Sequence, residues 1–154
     1  MKKIFFATMM ACSTLAQAQK DGEAIQLPGG VAYKMLLDVQ SEPKPVYGDY
    51  VETHMYVEVE GNRIYSSREA GEGKPIGFLM QQPTTKTDVQ EVVKLMTPGD
   101  SVTIVMSVDS MLKAGGPAEH WMKPNTGQTA TYIVKLLKVK TMGRKGEMPK
   151  PGKE

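Results

Sequence analysis

The chain has 154 residues, 40% of them hydrophobic and 23% charged, with one cysteine. That suits a single domain with its own core, and it excludes a fold held by disulfides or by a cluster of thiolate ligands. The formal net charge of +2 is carried by Lys2 and Lys3 alone, which belong to a removable first segment, so the basic pI gives no argument for a nucleic-acid partner.

That first segment runs Met1-Lys2-Lys3, then Ile4 to Ala11, and ends at Ala16-Gln17-Ala18. A basic start, a short apolar run and small residues around a cleavage site describe a secretory signal peptide over 1–18. The apolar run is too short to span a bilayer. Export, to the periplasm of a Gram-negative bacterium, is the expected destination. Cys12 offers an alternative, a lipoprotein anchored through that residue, although Met9-Met10-Ala11 is a poor lipid-attachment motif. Without lipidation no membrane contact is expected, since no other segment is apolar enough to cross.

Polar residues over 19–27 read as a flexible leader, and 28–141 as one domain. Gly30 to Val39 reads as a strand. From Val51, the positions Val51, Thr53, Met55, Val57 and Val59 alternate with Glu52, His54, Glu58 and Glu60, which marks a half-buried antiparallel strand. Gly61-Asn62 turns the chain into a return strand through Arg63-Ile64-Tyr65. Over Asp88–Met96 the period changes. Val89, Val92, Val93 and Met96 fall at i, i+3, i+4 and i+7, one face of a helix. Thr87 and Gln90 suit a capping box, and Thr97-Pro98-Gly99-Asp100 ends the helix. Val102, Ile104, Met106 and Val108 alternate again. In the last strand Ala130, Tyr132, Val134 and Leu136 share one face and Ile133, Leu137 and Val139 the other, as expected of a central strand. One short helix among antiparallel strands predicts an α+β domain with the helix packed on the concave face of the sheet. Over 142–154, Gly, Pro and Lys predominate, and a disordered polar tail is expected.

Several stretches resemble FKBP-type peptidyl-prolyl isomerases, in the family's order. Gly30-Val31-Ala32-Tyr33-Lys34-Met35-Leu36 is similar to the family's lead strand, and Gly48-Asp49-Tyr50-Val51-Glu52-Thr53-His54 to its G-D-x-V-x-V-H strand. Ser66-Ser67 with Lys74-Pro75-Ile76-Gly77-Phe78 is similar to its D-S-S loop. Val93-Lys94-Leu95-Met96-Thr97-Pro98-Gly99-Asp100 is similar to its helix end, and Ala130 to Leu137 to its final strand. The resemblance implies a curved antiparallel sheet wrapped around one short helix. It also implies an activity on X-Pro bonds in proline-containing polypeptide segments, with no cofactor and no metal. Such bonds isomerise over tens to hundreds of seconds because rotation sacrifices amide resonance, so the enzyme need only bind the twisted amide better than either planar form.

Carried over residue by residue, the resemblance gives a remodelled site. The pocket tyrosine after the strand histidine falls on Met55, the Phe-Asp pair on Ile64-Tyr65, and the phenylalanine after Lys-Pro on Ile76. The tryptophan at the helix start falls on Val89, and a loop tyrosine near Leu112. Tyr132 matches an aromatic position. Tyr65 and Tyr132 are therefore the expected catalytic residues, with Met55, Ile64, Ile76, Val89, Leu112 and Trp121 binding substrate. Trp121 either replaces the lost aromatic floor or caps the sheet edge. Met55, Met80 and Met111 either make the site adaptable or fill the core. His54 and His120 lie far from any cysteine or paired carboxylate at ligand spacing, so no metal site is expected. A weak, monomeric isomerase and a noncatalytic binding module for envelope proteins both fit these residues.

Overall fold

The computed structural model of the protein describes residues 23–142. The signal segment with Cys12, the first leader residues and the tail beyond Met142 lie outside the described residues. Seven strands form one antiparallel sheet: β1 (Ile25–Leu27), β2 (Val31–Leu37), β3 (Tyr50–Val59), β4 (Asn62–Ser66), β5 (Ile76–Leu79), β6 (Ser101–Ser107) and β7 (Thr129–Lys140). Their order across the sheet is β1-β2-β6-β7-β3-β4, with β5 also pairing β3. Three short helices interrupt the strands: α1 (Ser67–Ala70), α2 (Gln90–Val93) and α3 (Val108–Lys113).

The central position expected of the last strand is where β7 lies, between β3 and β6. Strand β3 is the pivot of the other edge. Its first residues, Tyr50–Thr53, pair with β5, and Tyr56–Val59 pair with β4. Bulges at Glu52/Thr53 and at Val57/Glu58 break its registers with β7 and β4, and such insertions bend a strand and raise its twist.

Alternation along β3 places Val51, Thr53, Val57 and Val59 in the interior, on the same buried face as Val102 and Ile104 of β6 and Val134 and Leu136 of β7. The apolar stripe of the helical segment docks on this face. Val92, Val93 and Met96 expose no surface, and burial of side chains of this size contributes about 1.5–3 kcal/mol each. Docking, rather than the helix propensity of two valines, holds the segment in place.

Four local expectations are corrected. Regular α-helix covers only Gln90–Val93, and three-residue turns tighten both ends: Glu91 N donates to Asp88 O, and Met96 N to Val93 O. β-Branched side chains crowd an α-turn, and tighter turns at the ends of so short a helix are common. The capping box does not form. The Thr87 hydroxyl donates to Gly29 O at 2.6 Å and Gln90 Oε1 accepts from Gln81 N, while Asp88 Oδ1 accepts from Gln90 N at 2.8 Å. The hairpin turns one residue earlier than expected, at Glu60 and Gly61 with φ of 51° and 78°, the left-handed pair that suits two twisted strands. Finally, the leader is ordered at its end. Ile25–Leu27 extends the sheet as β1 because Leu27 packs against the core and the free edge of β2 offers backbone partners.

The Thr97-Pro98-Gly99-Asp100 corner does more than end the helix. Asp100 is buried and accepts from Val39 N at 2.6 Å, Thr97 N at 2.6 Å and the Thr97 hydroxyl at 3.0 Å. One carboxylate thus ties the loop after β2, the end of the helical segment and the start of β6.

Candidate functional site

Because paired residues of a sheet point to the same face, the registers place Tyr65, Val57, Tyr132, Ile104 and Tyr33 in one row across β4, β3, β7, β6 and β2. The neighbouring rows on that face are Met55–Val134–Val102 and Ile76–Thr53–Leu136. Met55, Tyr65, Ile76 and Tyr132 therefore share the interior face, near the stretch of β3 where its pairing passes from β5 to β4.

At that passage the Met55 amide has no strand partner on the outer side. The Ser67 side chain supplies one: its Oγ accepts from Met55 N at 2.9 Å, and His54 Nδ1 stands 3.5 Å from the same oxygen. Ser67 is fully buried. Only the second serine of the Ser-Ser pair has this role; Ser66 starts α1 without a side-chain capping bond. His54 points to the opposite face, beside Lys135. Burial, followed by the charges of Arg68 and Lys135, lowers its pKa.

Tyr132 is the joint of the site. It packs against the main core and also against the small cluster Val57–Val59–Ala130. Met111 does the same, and Trp121 covers the small cluster beside them. Val89 and Met55 pack against the main core. Burial, and then the negative charges of Asp88 and Glu119, push the Tyr132 phenol above its ordinary 10.0, so its hydroxyl stays a neutral donor and acceptor.

The structure thus gathers Met55, Val89, Tyr132 and Trp121. Tyr65 and Ile64 stand at the rim, 37% and 40% exposed, and Ile76 is half-buried on β5. Leu112 is not part of either cluster; the inward side chain of α3 is Met111, because a step of one residue rotates a helical side chain by about 100°. Trp121 packs against the small cluster Val57–Val59–Ala130, as do Tyr132 and Met111. Met80 is a core residue with 1% of its surface exposed.

Between the start of α2 and the end of α3 lies a pocket of about 310 Å3 lined by Asp88, Val89, Met106 and Met111; of the gathered side chains only Val89 lines it. Asp88 and Glu119 were not singled out in the sequence. Asp88 reads there only as the start of the helical stretch. A larger cleft of about 660 Å3 lies near the end of β2, among Met35, Gln40, Glu42 and Leu95; neither Tyr132 nor Trp121 lines either pocket. Among the described residues no three His, Cys, Asp or Glu side chains converge as metal ligands. None of the helices described is long and apolar enough to cross a membrane.

No protein-family model and no curated protein sequence matches the chain. Solved structures do. The peptidyl-prolyl cis-trans isomerase of Pseudomonas syringae pv. tomato DC3000 is similar with a TM-score of 0.59 at 18% identity, over 77% of this chain and 81% of that one. FkpA from Escherichia coli is similar with a TM-score of 0.60 at 22% identity, over 80% of this chain but only 54% of its own length. Together with the sheet order and the docked helix, these similarities show that the chain has the fold of the FKBP-type peptidyl-prolyl isomerases.

Proposed function

We propose that the protein is an FKBP-type peptidyl-prolyl cis-trans isomerase and folding factor with weak activity, acting on proline-containing segments outside the cytoplasm. The observation that carries this reading is the placement of Tyr132: a half-buried tyrosine packed, with Met111 and Trp121, against the small cluster Val57–Val59–Ala130. A proline ring seated against these side chains brings its amide out of bulk water. Twisting the amide reduces its charge separation, so a less polar surrounding favours the twisted form over the planar ones. The Tyr132 hydroxyl, kept protonated, can donate to a carbonyl oxygen at the wall. Tyr65 offers a second hydroxyl at the rim, where the family resemblance expects a carboxylate.

Weak activity follows from the side chains that replace rings. Ile64, Ile76 and Val89 keep apolar character but give no flat surface against a proline. Export rests on the basic, apolar and small-residue pattern of the first 18 positions, with anchoring through Cys12 as the alternative outcome of the same export. The N-terminal residue of protein recovered from cells distinguishes them, since cleavage at the expected site leaves Gln19.

A second reading, a noncatalytic binding module or chaperone for envelope proteins, is favoured by the exposure of Ile64 and Tyr65 and by the methionines at the site. Exchange NMR on a short X-Pro peptide separates the two. For an isomerase, the purified protein accelerates exchange, and Tyr132→Ala, checked for retained fold, loses most of that acceleration. A folded protein that gives no acceleration refutes the catalytic reading. Suppression of aggregation that does not depend on proline then supports the second.

A further inference from the structure

The methionines of the domain differ sharply in what can reach them. Met80, Met96 and Met106 keep 1%, 0% and 3% of their surface exposed, whereas Met142, beyond the last strand, keeps 61%. Met35, Met55, Met111 and Met122 stand between these limits, half-buried. Among the described methionines, Met111 alone packs against both apolar clusters. It also lines the open pocket between α2 and α3, so a small solute that enters the pocket meets its side chain.

Met111 thus joins chemical access to a structural position. A thioether suits such a joint because it is unbranched, polarisable and apolar, and fills irregular gaps. A sulfoxide is polar and chiral, and its oxygen needs a hydrogen-bond donor or water. Val57, Val59 and Ala130, the buried residues of the small cluster, have no side-chain donor to offer.

We propose that Met111 is a peroxide-sensitive modification site, and that its conversion to the sulfoxide opens the joint between the two clusters. A lone pair of the Met111 sulfur attacks one oxygen of a hydroperoxide. The S–O bond forms as the O–O bond breaks, and the proton of the attacked oxygen passes to the departing hydroxide, which leaves as water. Sulfur is oxidised by two electrons and the peroxide reduced by two. Reductases specific for each sulfoxide epimer reverse the change. This inference goes beyond the isomerase reading and does not depend on it.

The test uses the full chain, dilute hydrogen peroxide and two readouts. Peptide mapping by mass spectrometry follows the sulfoxide at each methionine. Fluorescence follows Trp121, the one tryptophan of the chain, which packs against the same small cluster as Met111. Sulfoxide should form at Met111 about tenfold faster than at Met80 or Met96, which react only after a local opening. Trp121 emission should move to longer wavelength in step with oxidation of Met111. Met111→Leu, a swap of similar volume, should hold the emission constant under peroxide, although Met122 still stands next to Trp121 in the chain. Oxidation of Met111 no faster than that of Met96 overturns the assignment. So does unchanged emission once Met111 is fully oxidised, or a shift that follows Met122 in the intact protein or survives in Met111→Leu.

Discussion

Replacing Ser67 by alanine removes one oxygen from a place that water cannot reach. In the intact protein that oxygen accepts from Met55 N at 2.9 Å, at the point of β3 where neither β4 nor β5 offers a carbonyl. Ser67 has no exposed surface, and alanine fits its volume, so the substitution creates little cavity and no clash. The cost is the unsatisfied amide, about 1–3 kcal/mol, with 2 as the central expectation. With a urea slope of about 1–3 kcal/mol/M for a domain of this size, the midpoint should fall by about 1 M with an unchanged slope. The Met55 amide should also lose hydrogen-exchange protection relative to Tyr56, its neighbour in the β3–β4 ladder. Ser66→Ala is the internal control. Ser66 is nearly as buried, at 7% exposure, yet starts α1 without a side-chain capping bond, so its replacement should shift stability by less than about 0.5 kcal/mol. Equal midpoint shifts for the two serines, or an unchanged Met55 exchange rate in Ser67→Ala, would refute the claim that this hydroxyl stands in for a missing strand.

Two further outcomes follow from the same structure. Asp100→Ala leaves the Val39 and Thr97 amides without their acceptor and should destabilise by about 2–4 kcal/mol, read from urea unfolding, with exchange rising first at those two amides. The Tyr132 phenol, raised above 10.0 by burial and by Asp88 and Glu119, should ionise at higher pH than a free tyrosine in an ultraviolet difference titration against Tyr132→Phe. Since the unfolded state releases that proton first, Tyr132 contributes stability that is fully present below about pH 10 and is lost as pH rises toward the folded pKa. Tyr132→Phe should flatten this alkaline decline, and a decline of unchanged size would count against a buried, neutral hydroxyl.

Periodicity made the sheet legible because burial on one face imposes a period of two on every strand, and Val51 through Val59 obey it almost without exception. The helical stripe Val89–Val92–Val93–Met96 was equally readable, since docking on one face requires that spacing. What periodicity does not encode is how a terminus closes. Thr87 and Gln90 have the composition of a capping box, but their side chains find Gly29 and Gln81, partners distant in sequence or irregular in conformation. β1 was hidden for a similar reason, as three residues are too few to show alternation. At the site, Met55, Val89 and Tyr132 pack against one core, whereas Leu112 belongs to neither cluster and the turn of α3 directs Met111 inward. Asp88 and Glu119, whose charges help to raise the Tyr132 phenol, carry no motif.

The proposed weak activity has a physical scale. Rotation about a peptide bond faces a barrier of about 18–20 kcal/mol, and each tenfold acceleration requires about 1.4 kcal/mol of preference for the twisted amide. A single hydrogen bond from a neutral hydroxyl contributes about 0.5–1.5 kcal/mol net, so Tyr132 acting by this bond alone accounts for roughly a tenfold effect at most. Apolar walls must supply anything beyond that, and they do so only as far as they exclude water from the amide. With Ile64 and Tyr65 more than a third exposed, the rim is open on the β4 side, and exclusion there depends on what the polypeptide segment itself covers. Acceleration should therefore be greater for long or folded clients, whose flanking residues lie over Tyr65, than for a tetrapeptide. A tetrapeptide and an unfolded protein accelerated to the same extent would show that the wall is complete without the client, contrary to the open rim.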